Sequence, residues 1–94
     1  MKFTLDLSTE RSDKSLIEEG VLPSGKVFSS LTVVRVGTGS FTVKLKFADG
    51  STTSYSSDEL VNGYMMDREF TDVLVTNSSQ TVTNPTFVVD WREE

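Results

Sequence analysis

The stretch FTDVLVTNSSQTVTNPTFVVDW, Phe70–Trp91, decides what kind of fold this chain can adopt. It opens with a run rich in β-branched and apolar residues, Phe70–Thr76, and closes with another, Thr86–Trp91. The segment between them is Asn, Ser, Gln, Thr and Pro, residues that favour turns and cannot pack a core. Two short apolar runs bounded by turn residues read as strands, so the stretch supplies the two closing strands of a β-domain.

Working back from it, the same grammar recurs. In Phe41–Phe47, Phe41, Val43, Leu45 and Phe47 point one way, and Thr42, Lys44 and Lys46 the other, the period of a half-buried strand. Asp49-Gly50 follows, the pair favoured for a type I′ hairpin turn, and Ser51–Tyr55 returns. Before it, Gly37-Thr38-Gly39-Ser40 reads as a tight turn, and Lys26–Val36 as a long strand whose alternation shifts at Ser29-Ser30, as at a bulge or where two shorter strands meet at a bend. Lys26–Tyr55 is therefore expected to form a three-stranded meander. Lys2–Leu7 alternates as well, with Phe3, Leu5 and Leu7 on one face.

Two stretches break the pattern. Ser8–Gly20 is polar apart from Leu16-Ile17, with Ser15 and Glu18 spaced as a capping box and Gly20 placed to end one helical turn. It is either a solvated connector or an arm that hooks a neighbouring subunit through Leu16 and Ile17. Val21–Gly25 is a turn stiffened by Pro23. Ser56–Glu69 holds Asn62-Gly63 and the apolar Tyr64-Met65-Met66, and fits either a helical turn at Ser57–Leu60 or a short strand at Tyr64–Met66. A charged tail, Arg92, Glu93 and Glu94, ends the chain. The expectation is one all-β domain over residues 1–94, an antiparallel sandwich or barrel of six to seven strands with jelly-roll or Greek-key connections, residues 8–20 and 56–69 being irregular arms or loops. The 13 Ser and 12 Thr, spread throughout, suit strands and turns and agree with it.

Composition narrows function by exclusion. Nine basic residues against fourteen acidic ones give a net charge of −5, and the Lys and Arg are scattered, so counterion release cannot drive nucleic-acid binding. Attraction to an anionic membrane is disfavoured for the same reason. There is no Cys and no His, which removes thiolate metal sites, disulfides and every Ser-His or Cys-His mechanism. After Met1-Lys2-Phe3 comes Asp6 rather than an apolar h-region, and no apolar run approaches the ~20 residues of a bilayer span. Synthesis in a cytosol and a soluble product are expected.

Candidate chemistry fares poorly. Asp58-Glu59, Asp67 with Glu69, and Asp72 with Asp90 are pairs of acids, but each alternates with apolar neighbours as a solvated residue does. Calcium would need a denser oxygen loop than Asp49-Gly50. A phosphate loop would have to feed a helix N-terminus, whereas Gly37–Ser40 feeds a strand. Asn77-Ser78-Ser79 has the form of a glycosylation sequon but is better explained by Asn77 ending a strand, and Pro85 disqualifies Asn84. No catalytic, cofactor-binding or metal-ligating residue is assigned, and an enzyme is not expected. Of the aromatics, Phe28, Phe41, Phe47, Phe70 and Phe87 read as core; Trp91, three residues from the end, and Tyr64, Met65 and Met66, which interrupt a polar loop, are candidate interface residues with Leu16 and Ile17.

The order Gly63, Arg68, Phe70, then VLVTNSS (Val73–Ser79), then Phe87-Val88-Val89 resembles the C-terminal half of small β-rich virion proteins of tailed and tailless bacteriophages. The likeness covers about 25 residues and departs from the pattern at the polar Gln80–Pro85 segment, where those proteins carry Ala- and Gly-rich turns. It implies a non-enzymatic structural protein: a minor capsid, penton or cement/decoration subunit, made in the host cytoplasm and ending in the virion. It also implies partners, namely itself as a trimer or pentamer and a major capsid protein, without direct nucleic-acid or membrane contact and without a cofactor. The alternative is a carbohydrate- or receptor-binding β-sandwich module on a tail or cell surface, using Tyr64 and Trp91.

Overall fold

Alternation becomes strands in the computed structural model, which describes residues 1–92. The elements are β1 (Lys2–Thr4), β2 (Arg11–Ser15), β3 (Phe28–Arg35), β4 (Thr42–Lys46), β5 (Thr52–Ser56), β6 (Tyr64–Met66), β7 (Asp72–Asn77) and β8 (Thr86–Trp91). They form two four-stranded sheets, ordered β1-β8-β3-β6 and β2-β7-β4-β5, with every neighbouring pair antiparallel. Among the described residues there is no helix. The period-2 faces meet between the sheets: Leu31, Val33, Phe87 and Val89 from the first, Val43, Leu45, Val73 and Val75 from the second, all at most 2% exposed. Each such side chain contributes roughly 1.5–3 kcal/mol through burial.

Phe70–Trp91 supplies an inner strand to each sheet, since β8 lies between β1 and β3, and β7 between β2 and β4. The two strands are thus not neighbours. Phe70 itself stays with the first sheet, exchanging both backbone hydrogen bonds with Phe28 (2.8 and 3.1 Å) while the rings stack at 5.2 Å. One residue on, the Thr71 N–H donates to the Lys46 carbonyl of the second sheet. The chain changes sheet across that single peptide.

Several expectations need correction. Among the described residues there are eight strands rather than six or seven, because the polar segment Arg11–Ser15 is an edge strand on β7. It has no apolar residue to show alternation, and its register shifts between Arg11 and Lys14, where Asp13 takes φ +50°. The meander over residues 26–55 is only a hairpin: β4 pairs with β5, but β3 belongs to the other sheet. Residues 37–40 are therefore a crossover, not a hairpin turn. Gly37 sits at φ +79°, and a Cβ there would fall 2.2 Å from the Thr83 carbonyl oxygen, so the arch closes on the second crossover, residues 78–85. Thr38 N–H donates to that carbonyl at 3.0 Å, and the Gln80 amide fills a strand position by accepting from Ser40 N–H and donating to Ser40 C=O. The Asp49-Gly50 turn is also of another type. Gly50 has positive φ but Asp49 does not, and Gly50 N–H bonds Phe47 C=O, which is a type I turn closed by a glycine bulge.

Other features match. β3 shifts register between Phe28 and Ser30, the position of the expected bulge. Ser15 Oγ accepts from the N–H groups of Ile17 and Glu18, and Gly20 ends that turn at φ +79°. At the C-terminus Arg92 pairs with Glu69, while Glu93 and Glu94 lie outside the described residues.

Candidate functional site

Two of the six candidate interface residues are core. Leu16 is 1% exposed and Met66 5%, both within the apolar cluster, and Ile17 packs partly against it. Leu16 is held because its N–H donates to Val73 C=O at 2.9 Å, extending β2 one residue past Ser15. Residues 8–20 are therefore not a projecting arm but are hydrogen-bonded to β7 and the segment that follows it. Trp91 is half-buried, edge-on to Phe28 with centroids 6.0 Å apart. Beside it, Met1, Val89 and Asp90 complete a shallow open recess of about 220 Å³. Two of its polar groups are engaged: the N-terminal ammonium donates to Val89 C=O, and Ser30 Oγ donates to Asp90.

Tyr64 and Met65 remain, 37% and 56% exposed on β6 at the edge of the first sheet. Two residues missed in the sequence join them. Val61 accepts Tyr64 N–H at its carbonyl, and Val34 follows Val33, the register partner of Tyr64; both valines are exposed. Val34 faces out by simple alternation, Leu31 and Val33 being the inward residues on that part of β3. Four of the five exposed large apolar side chains thus gather at one edge, Met1 being the fifth. Two contacts anchor the edge: Asn62 Oδ1 accepts Val36 N–H at 2.8 Å, and the Tyr64 ring meets Tyr55 of β5 at 6.3 Å. Register also separates Tyr64 from Trp91. On β3 they pair with Val33 and Phe28, five residues or about 16 Å apart, so they do not form one platform.

The acids do not converge. Asp72 lies on the outer side of the second sheet and Asp90 on that of the first, with the core between them. Two carboxylates working on one glycosidic bond must face each other roughly 5–9 Å apart across a cleft. Among the described residues no cluster of three metal-ligating side chains occurs. An apolar gap between the sheets, lined by Phe3, Leu5, Leu31 and Phe87 among others, leaves no room for a water molecule.

The one buried charged constellation is structural. Arg11 ion-pairs with Glu19 at 2.8 Å and donates to Asn77 Oδ1 and to the carbonyls of Asp6 and Thr9. Asn77 Nδ2 in turn donates to the carbonyls of Leu7, Thr9 and Ser78. With its amide so engaged and only 5% of the residue exposed, Asn77 is closed to glycosylation in the folded chain. No protein-family model, curated protein or solved structure matches the chain.

Proposed function

We propose that the chain is a non-enzymatic structural subunit of a bacteriophage virion, a minor capsid, penton or cement/decoration component that acts by oligomeric assembly. The observation that carries this is the nesting of strand pairs. β1 joins β8, β2 joins β7, β3 joins β6 and β4 joins β5, with β3–β8 and β4–β7 added. This nesting supports the reading of a long antiparallel ribbon rolled upon itself, the jelly-roll arrangement used by viral capsid domains. A fold does not by itself assign a role, so the surface has to agree. It does: the side chains left apolar and open line a sheet edge, the place where β-domains join neighbours. The partners are other copies, as a trimer or pentamer, and a major capsid protein; the assembled site is the virion, after synthesis in the host cytoplasm. Lectin domains also use rolled sandwiches, but a sugar platform from Tyr64 and Trp91 is split by the register.

Light scattering on the purified chain and electron microscopy of its particle test the proposal. A discrete oligomer, or density for the sandwich at fixed positions on the shell, supports it; a strict monomer absent from particles removes it.

A further inference from the structure

We infer that the outer edge of β6 receives an extended segment of a partner chain in which apolar side chains alternate with Lys or Arg. The segment would add a fifth strand to the first sheet. The inference deepens the assembly proposal and rests on it.

Comparison of the four sheet edges points to β6. β2 is bulged and exposes Ser12, Asp13 and Lys14; β1 exposes Lys2 and Thr4; β5 exposes Thr52 and Ser54. Polar side chains, charges and bulges of this kind discourage strand pairing. β6 alone exposes an aromatic and a thioether, with Val61 and Val34 beside them. Strand addition uses the backbone for affinity and alternate side chains for choice of partner.

Charge selects the occupant. The segment around β6 carries Asp58, Glu59, Asp67 and Glu69, all exposed. The nearby cations are committed: Arg68 lies 3.7 Å over the Phe47 ring, Arg92 pairs with Glu69, and Arg35 donates to Asn84 C=O. Among the described residues Asp58 and Asp67 have no ion-pair partner. An apolar edge whose flanking segments carry two unpaired carboxylates, Asp58 and Asp67, complements a basic strand. A second copy would bring the same four acids, on a chain of net charge −5, to the same edge. Homo-oligomerisation is thereby left to other surfaces.

The test is an amide-resonance titration of the whole chain with acetylated six-residue peptides. In one series Lys alternates with Val, Ile, Leu or Phe; in the other Glu replaces Lys. Saturable shifts confined to β6 and its neighbours on β3, with the Lys series only, are expected. Met65→Lys and, separately, Val61→Ser should abolish them, both being exposed positions whose thermal midpoints should not move. Asp58→Asn with Asp67→Asn should weaken binding roughly tenfold at low salt. Equal binding of the Glu series, shifts at another edge, or no shift with any peptide overturns the inference. So does self-association through β6, seen as an oligomer that Met65→Lys dissociates. A chain that enters particles but ignores the peptides loses this inference and keeps the assembly proposal; a chain absent from particles loses the proposal itself.

Discussion

Gly37 and Gly50 share a positive φ, +79° and +88°, yet nothing lies within 4 Å of a Cβ built on Gly50, whereas one on Gly37 meets the Thr83 backbone at 2.2 Å. Gly50→Ala should therefore cost only left-handed backbone strain, about 1 kcal/mol. Gly37→Ala adds a collision between the two crossovers and should cost about 3 kcal/mol or more. Urea denaturation of the two variants measures the contrast. Asp6 and Asp49 carry the clearest acid dependence. Each is held below the usual 3.8 first by the hydroxyl and then by the backbone N–H of the serine two residues on, Ser8 and Ser51. A carboxylate whose folded value is depressed contributes stability that is complete above its unfolded value and is lost as pH falls through the lowered one. Urea midpoints should thus decline below pH about 4, and less so in a Ser8→Ala, Ser51→Ala variant. An unchanged slope in that variant would remove these two hydrogen bonds from the account.

At the scale of elements, Phe70 is the pivot. Its backbone is bonded to Phe28 in one sheet while its neighbour is bonded to the other. Phe70→Ala should destabilise the domain by roughly 3–5 kcal/mol. A double-mutant cycle with Phe28→Leu should return a coupling of about 1 kcal/mol from the stacked rings; additive effects would show that the rings contribute nothing beyond their separate burial. The same scale shows what the sequence makes legible. β4, β7 and β8 carry two or more inward apolar residues at period 2, and their existence is readable directly. β2 is not, because Arg-Ser-Asp-Lys-Ser buries an ion-paired Arg and a hydrogen-bonded Ser instead of hydrophobes. Nor is the crossover at residues 37–40 readable, since Gly-Thr-Gly-Ser serves a tight turn and an arch equally. What separates the two is the approach of Thr83, far along the chain. Of the candidate surface, Tyr64 and Met65 are visible as apolar residues in polar surroundings. Met66 and Leu16 look alike in sequence but turn inward, because strands and turns this short offer no period from which to tell the faces apart.

For the whole molecule, the stretch Phe70–Trp91 supplies an inner strand to each sheet. Its acids face opposite sides, its sequon is buried in hydrogen bonds, and its Gln and Asn side chains tie loops. The two sheets leave four edges among the described residues, of which β6 exposes an aromatic and a thioether. The proposed assembly acts at such a boundary. The copy number of the chain in purified phage particles, measured by quantitative mass spectrometry against the major shell protein, tests that claim most directly. A fixed whole-number ratio per shell, retained after high-salt washing, is predicted; absence from the particles, or a ratio that varies between preparations, would contradict it.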